Sequence, residues 1–151
     1  MTRTGPAEEA VKHFTDGYLC SQSVFLAFAE QLGIDPQVAA RTAAPFGAGI
    51  AHMGRTCGAV TGALVVLGAR YGHDEADDGE GQARILEQVR AFLAAFESRH
   101  GSLTCCELLG RDLSTDEGLA LAREEGLFES ACPRYVEGAA RLVEEILTGR
   151  S

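Results

Sequence analysis

The segment GRTCGAVTGALVVLG, residues 54–68, decides the fold. From Thr56 to Tyr71 the chain is apolar on nearly every side of a helical projection, and glycines recur along it. A helix that is apolar all round is buried, so we expect this segment to form the central helix of a bundle. The apolar run lies between Arg55 and Arg70 and is too short to cross a bilayer, for which a helix needs about 20 residues.

Apolar residues recur at helical spacing along the rest of the chain, and no segment alternates as a strand does. The acidic, glycine-bearing residues 73–82 are predicted to form a loop. The sequence therefore predicts an all-α fold, with residues 1–151 forming a single domain of about six to seven helices around the buried glycine-rich helix. The principal amphipathic helices are predicted at Pro6 to Thr15, Ser21 to Leu32, Ile85 to Phe96 and Val136 to Leu147.

Charge and composition exclude several classes of partner. The chain has 151 residues and a formal net charge of −9, whereas nucleic acids and anionic membranes are bound by an excess of Lys and Arg. The first residues, MTRTGPAEEAVKHF, are polar and acidic rather than apolar as in a secretory signal. We therefore expect a cytoplasmic protein without membrane insertion and without a nucleic-acid partner.

The five cysteines are the residues most indicative of function. In a reducing compartment, cysteines are more often redox-active, catalytic or metal-binding than disulfide-bonded. Each one lies at or near a predicted helix N-terminus, where unpaired N–H groups and the helix dipole stabilise a thiolate. We therefore expect thiols with lowered pKa values. The cysteines are Cys20, Cys57, Cys105, Cys106 and Cys132.

Cys57 is expected to be among the most acidic of these thiols, because it combines a helix start with the neighbouring guanidinium of Arg55. Gly58 and Gly62 follow it on one face of the same helix. Their lack of side chains suits either a cofactor lying on the helix or the close approach of another helix, and both alternatives stay open at this stage.

Four stretches of the sequence together resemble one known family: CSQSV, FGAGI, CGAVTGALVVLGARYG and GSLTCCELLG. It is the bacterial and archaeal family of redox-active proteins whose cysteine signature is written C_GCAxxG_C_C. The resemblance covers nearly the whole chain and implies four functional cysteines with redox or metal chemistry. It assigns these roles to Cys20, Cys57, Cys105 and Cys132, with Cys106 as the extra thiol or as the substitute for Cys105.

Three functions are compatible with such a set. In the first, two of the four cysteines cycle between dithiol and disulfide, or pass electrons to a redox partner of unknown identity. In the second, the same four cysteines hold zinc or an iron–sulfur cluster. In the third, the protein is a non-catalytic helical interaction module, for example a homodimer, in which the thiols only pack.

The first two functions require the cysteines to converge. We expect Cys20, Cys57, Cys132 and Cys105 to lie in one pocket, with at least one pair close enough for a disulfide and Cys106 outside.

Overall fold

Helices make up the regular structure of the computed structural model, which describes residues 4–149. The all-α prediction is confirmed, and the described residues contain no β-strand. A single-turn 3-10 helix, Ala44–Phe46, follows the third α-helix. The α-helices are α1 (Pro6–Thr15), α2 (Cys20–Leu32), α3 (Pro36–Ala43), α4 (Gly58–Tyr71), α5 (Gly79–His100), α6 (Cys105–Leu109), α7 (Asp116–Glu124), α8 (Leu127–Ser130) and α9 (Cys132–Thr148).

The glycine-rich helix α4 is the centre of the bundle, as the sequence predicts. It packs against α2, α5 and α9, and Val60, Ala63, Val66 and Leu67 are completely buried along it. The buried apolar side chains around it belong to one core cluster. No helix within residues 4–149 has both the length and the apolar character that a membrane crossing requires.

Helix α5 extends beyond its predicted limits of Ile85 and Phe96. It begins inside the acidic segment that the sequence suggests is a loop, because the carboxylate of Asp78 accepts a hydrogen bond from the N–H of Gly81 at 2.8 Å. An Asp at this position satisfies one of the free N–H groups of the first turn. The described residues contain more α-helices than the predicted six to seven, because short helices such as α6 and α8 add to the number.

A left-handed turn connects the 3-10 helix to the start of α4. Residues 48–52 all have positive φ, between 51° and 76°, although only Gly49 is a glycine. The turn is held by backbone hydrogen bonds, among them Ala51 N–H to the Pro45 carbonyl at 2.9 Å and Arg55 N–H to the Gly49 carbonyl at 2.8 Å. It directs the chain back toward the N-terminal end of α4.

The segment before α4 pairs with the segment before α6. The N–H of Cys57 donates to the carbonyl of Leu103 at 2.8 Å, and the N–H of Cys105 donates to the carbonyl of Arg55 at 2.6 Å. An antiparallel bridge between Thr56 and Thr104 lies between these bonds. The pairing brings the starts of α4 and α6 side by side.

Candidate functional site

A cavity of about 480 Å³ lies where the N-terminal ends of four helices meet. Its lining includes Cys20 of α2, Cys57 before α4, Cys105 of α6 and Cys132 of α9. The structure thus brings together in one cavity the four cysteines that the sequence singles out. All five cysteines of the chain are free thiols.

Each of these cysteines stands at a helix start, as predicted. Cys57 is the residue immediately before α4, and the other three are the first residues of their helices. Cys132 is the first residue of α9, and Ala131 before it is the N-cap.

Cys106 is not among the residues that line the cavity. Its sulfur lies 3.8 Å from a carboxylate oxygen of Asp112 and packs against Gly54. Of the adjacent cysteine pair, only Cys105 therefore shares a cavity with Cys20, Cys57 and Cys132.

The two glycines after Cys57 have different roles. Gly58 lines the cavity, and a Cβ on it would overlap the sulfur of Cys20. Gly62 faces the backbone of α2, where an added Cβ would lie 2.6 Å from the carbonyl oxygen of Ser21. The expectation that Gly62 binds a cofactor is not supported, because helix α2 fills the space beside it.

The thiol of Cys57 is less acidic than the sequence predicts. Burial, followed by the neighbouring Cys20 thiol, raises the pKa of Cys57 to about 12. The N–H groups of Ala59 and Val60, in the first turn of α4, act in the opposite direction but do not compensate. The prediction that Cys57 is among the most acidic thiols is therefore wrong. The helix start does stabilise a thiolate, but burial removes the thiol from water, and this disfavours the charged form more strongly.

Burial has the same effect on the other cavity thiols. It raises the pKa of Cys132 to about 12, with further contributions from Cys20, Cys57 and Glu129. It also raises the pKa of Cys105, together with the neighbouring thiols. The pKa of Cys20 is raised by burial, although its sulfur accepts hydrogen bonds from backbone N–H groups that include those of Ala48 and Gly58. At neutral pH the reduced cavity therefore holds protonated thiols.

Apolar side chains form most of the cavity wall, and charged groups are few. The charged or titratable residues, apart from the thiols and two tyrosines, are His52, Arg123 and Glu129. No sequence motif marks Arg123 or Glu129, because they reach the cavity only through the packing of α7 and α8. The apolar wall includes Phe14, Leu19, Leu108, Leu109, Phe128 and Pro133.

The cavity thiols do not form a metal-binding arrangement. In the part of the chain that the structure describes, no group of three or more His, Cys, Asp or Glu side chains is placed to hold a metal ion. A zinc ion holds its sulfur ligands at about 2.3 Å, which requires a tight and closed set of donors. The geometry therefore gives the zinc and iron–sulfur alternatives no support.

Comparison with known proteins assigns the family. The family described as "Putative redox-active protein (C_GCAxxG_C_C)" matches residues 18–146, a range that contains all five cysteines. The chain belongs to this family. No curated protein and no solved structure matches the chain. Membership of the C_GCAxxG_C_C family gives a redox-active class without a mechanism.

Proposed function

We propose that this protein is a thiol redox protein in which Cys20 and Cys57 cycle between dithiol and disulfide. The observation that carries the proposal is the meeting of four helix-start thiols in one cavity, with the sulfur of Cys20 against the residue that follows Cys57. Oxidation removes two electrons and two protons from the two thiols and forms one S–S bond, and reduction reverses this.

The contact at Gly58 favours Cys20 and Cys57 as the pair. Their thiols also interact electrostatically, which is one cause of the raised pKa of Cys57. A disulfide requires Cβ atoms about 3.5–4.5 Å apart, so only neighbouring cysteines qualify. The backbone N–H groups of Ala48 and Gly58 that face the Cys20 sulfur offset part of the cost of forming its thiolate. Because Cys20 is also partly exposed whereas Cys57 is buried, we assign Cys20 as the attacking thiol.

Cys105 and Cys132 supply further thiols to the same cavity. Cys105 is tied to Cys57 by the backbone pairing of their segments, and its pKa is raised by burial and then by Cys57. The pKa of Cys132 is raised by burial and then by Cys20. We propose that Cys105 and Cys132 exchange with the Cys20–Cys57 disulfide and carry electrons to or from it.

Disulfide mapping tests the proposal. The reduced protein is treated with diamide, unfolded, alkylated and digested, and the cross-linked peptides are identified by mass spectrometry. We expect a Cys20–Cys57 cross-link in the unmodified protein and in Cys106→Ser, and its loss in Cys20→Ser and Cys57→Ser. Five free thiols after oxidation would refute the proposal, as would a cross-link that forms only through Cys106.

Metal analysis of protein purified without oxygen distinguishes the alternatives. We expect protein without bound zinc or iron and with reactive cavity thiols. One tightly bound zinc per chain, or the visible absorption of an iron–sulfur cluster, would instead favour a metal centre. Circular dichroism of each variant checks that the helices are retained.

A further inference from the structure

Two charged side chains of opposite sign lie at the cavity, and neither forms an ion pair with another of the described residues. Arg123 of α7 and Glu129 of α8 are exposed and both line the cavity. Among the ion pairs of residues 4–149, neither of them takes part. The four ion pairs of this region instead use arginines and a lysine elsewhere on the surface. A mostly apolar cavity thus presents, beside four thiols, one guanidinium and one carboxylate that no described residue pairs.

The dimensions of the site favour a small substrate. A volume of about 480 Å³ is within the range of about 300–1,000 Å³ that is typical of small-molecule sites. The attacking Cys20 is half-buried in this cavity, and its partner Cys57 is only 6% exposed. A disulfide held in a folded protein would have to bring its own backbone into the cavity to meet Cys20. A small disulfide meets no such obstacle.

We infer that the substrate of the dithiol is a small amino-acid-type disulfide, in which each half carries an ammonium and a carboxylate. The guanidinium of Arg123 matches a carboxylate with two parallel hydrogen bonds, and Glu129 accepts hydrogen bonds from the ammonium. The apolar wall accommodates the methylene groups on either side of the S–S bond. This inference rests on the function proposed above and specifies its substrate.

The reaction balances without an additional oxidant, because the substrate disulfide accepts the electrons. The Cys20 thiol loses its proton and its sulfur attacks one substrate sulfur. The substrate S–S bond breaks, and the first half leaves as a thiolate that takes up a proton. The sulfur of Cys57, also deprotonated, then attacks the Cys20 sulfur and releases the second half as a thiol. Two substrate thiols and one Cys20–Cys57 disulfide result, and a dithiol reductant restores the protein.

A single-turnover comparison of disulfides tests the substrate class. Reduced protein is mixed with excess cystine, cystamine, 3,3′-dithiodipropionate, bis(2-hydroxyethyl) disulfide or insulin, and the protein disulfide is followed by acid quench and mass spectrometry. Each rate constant is divided by that of dithiothreitol with the same disulfide, which removes differences in intrinsic reactivity. Since two exposed ionic contacts act on cystine, we expect its normalised rate to exceed that of the neutral hydroxyethyl disulfide by about tenfold. Cystamine carries only ammonium groups and dithiodipropionate only carboxylates, so each can contact one of the two side chains. Their normalised rates should lie between those of cystine and the hydroxyethyl disulfide.

Charge-removing variants assign the effect to the two side chains. We expect Arg123→Gln and Glu129→Gln each to lower the ratio of the cystine rate to the hydroxyethyl disulfide rate by about threefold to fivefold. In Arg123→Gln the normalised rate of dithiodipropionate should fall to that of the hydroxyethyl disulfide. In Glu129→Gln the normalised rate of cystamine should do the same. Arg84→Gln and Glu87→Gln, on the exposed surface of α5, are the matched controls and should leave the ratio unchanged.

The possible failures are distinguishable. Equal normalised rates for cystine and the hydroxyethyl disulfide, an unchanged ratio in both variants, or fastest oxidation by insulin would overturn the substrate class. Each of these results would leave the dithiol proposal intact, because the cross-link still forms. Absence of a protein disulfide with every probe and also with diamide would overturn both.

Discussion

The sulfur of Cys20 lies against Gly58, the residue that immediately follows Cys57. Helices α2 and α4 start at the same end of the bundle and approach closely, because Gly62 presents no side chain to the backbone of Ser21. The hydroxyl of Ser21 donates to the carbonyl of Ala43 at 2.7 Å and holds this buried turn of α2 in position. The glycines beside Cys57 thus serve to bring two thiols together.

Replacement of Gly58 by alanine should separate these thiols. The added methyl group would overlap the Cys20 sulfur, which must then rotate away, and we expect the yield of the Cys20–Cys57 cross-link after diamide treatment to fall severalfold. Such overpacking typically costs about 1–3 kcal/mol in the free energy of unfolding. Gly68→Ala, on the same helix with no atom within 4 Å of the added Cβ, is the matched control. The control should keep the cross-link and gain about 0.5–1 kcal/mol. An unchanged yield in Gly58→Ala would show that the contact does not govern the pairing.

Gly62→Ala should destabilise the protein without touching the cavity lining. Its Cβ would lie 2.6 Å from the carbonyl oxygen and 3.0 Å from the Cα of Ser21, and neither backbone atom can move alone. We expect a loss of about 1–3 kcal/mol in the free energy of unfolding, measured by urea denaturation. Unchanged stability would mean that α2 can withdraw from α4 at little cost.

The helices and the cysteine positions were predictable from the sequence, because periodicity and helix-start residues act locally. Helix α1 begins and ends at the predicted Pro6 and Thr15. The extension of α5 was not predictable from composition, since the acidic, glycine-bearing segment before Ile85 is typical of a loop and only the capping contact of Asp78 shows otherwise.

Features that depend on tertiary packing were missed. The left-handed turn is one, because alanine and isoleucine disfavour positive φ and nothing local predicts that they adopt it. The direction of the thiol pKa shifts is another. A helix start lowers the pKa of a thiol, whereas burial raises it. For Cys57 the effect of burial is the larger one, and the sequence does not reveal that this residue is buried.

The stability of the reduced protein should fall in alkali. The pKa of Cys57 is about 12 in the folded protein and 9.0 as its ordinary value, so the unfolded chain loses this proton first. The contribution of the protonated Cys57 thiol to stability is therefore fully present below pH 9 and is lost as the pH rises toward 12. Above pH 9 we expect a decline of about 1.4 kcal/mol per pH unit from this thiol. The free energy of unfolding is measured by urea denaturation with a non-thiol reductant, for the unmodified protein and for Cys57→Ala. We expect the difference between the two values to shrink at that rate as the pH rises. A difference that is independent of pH would contradict the raised pKa.

The reduction potential of the proposed disulfide should depend on pH over an unusually wide range. Because the pKa values of the cavity thiols are raised by burial, each oxidation releases two protons even at alkaline pH. A tenfold change in a two-electron equilibrium corresponds to about 29.6 mV, so two protons give about 59 mV per pH unit. We expect a straight line from pH 7 to about pH 10, measured by equilibration with dithiothreitol buffers. A change of slope near pH 8.5 would show that one thiol ionises as an exposed cysteine does.

The left-handed turn should be relieved by a glycine at Ile50. This residue has a φ of 65°, and a left-handed conformation costs an L-residue roughly 1–2 kcal/mol, with β-branched residues the least suited. The Ile50 side chain is 38% exposed, so its removal also gives up the packing of its covered part. The relief of strain opposes both the entropy cost of a new glycine and the lost packing. We therefore expect Ile50→Gly to lower the free energy of unfolding by about 1–2 kcal/mol less than a comparable substitution within a right-handed helix, as measured by urea denaturation. Leu86→Gly is the matched control, since Leu86 is 44% exposed but lies within the right-handed helix α5. It should lose about 1 kcal/mol of helix propensity in addition to its packing, with no relief of strain. Equal destabilisation in both variants would show that the contacts of Ile50 outweigh its backbone strain.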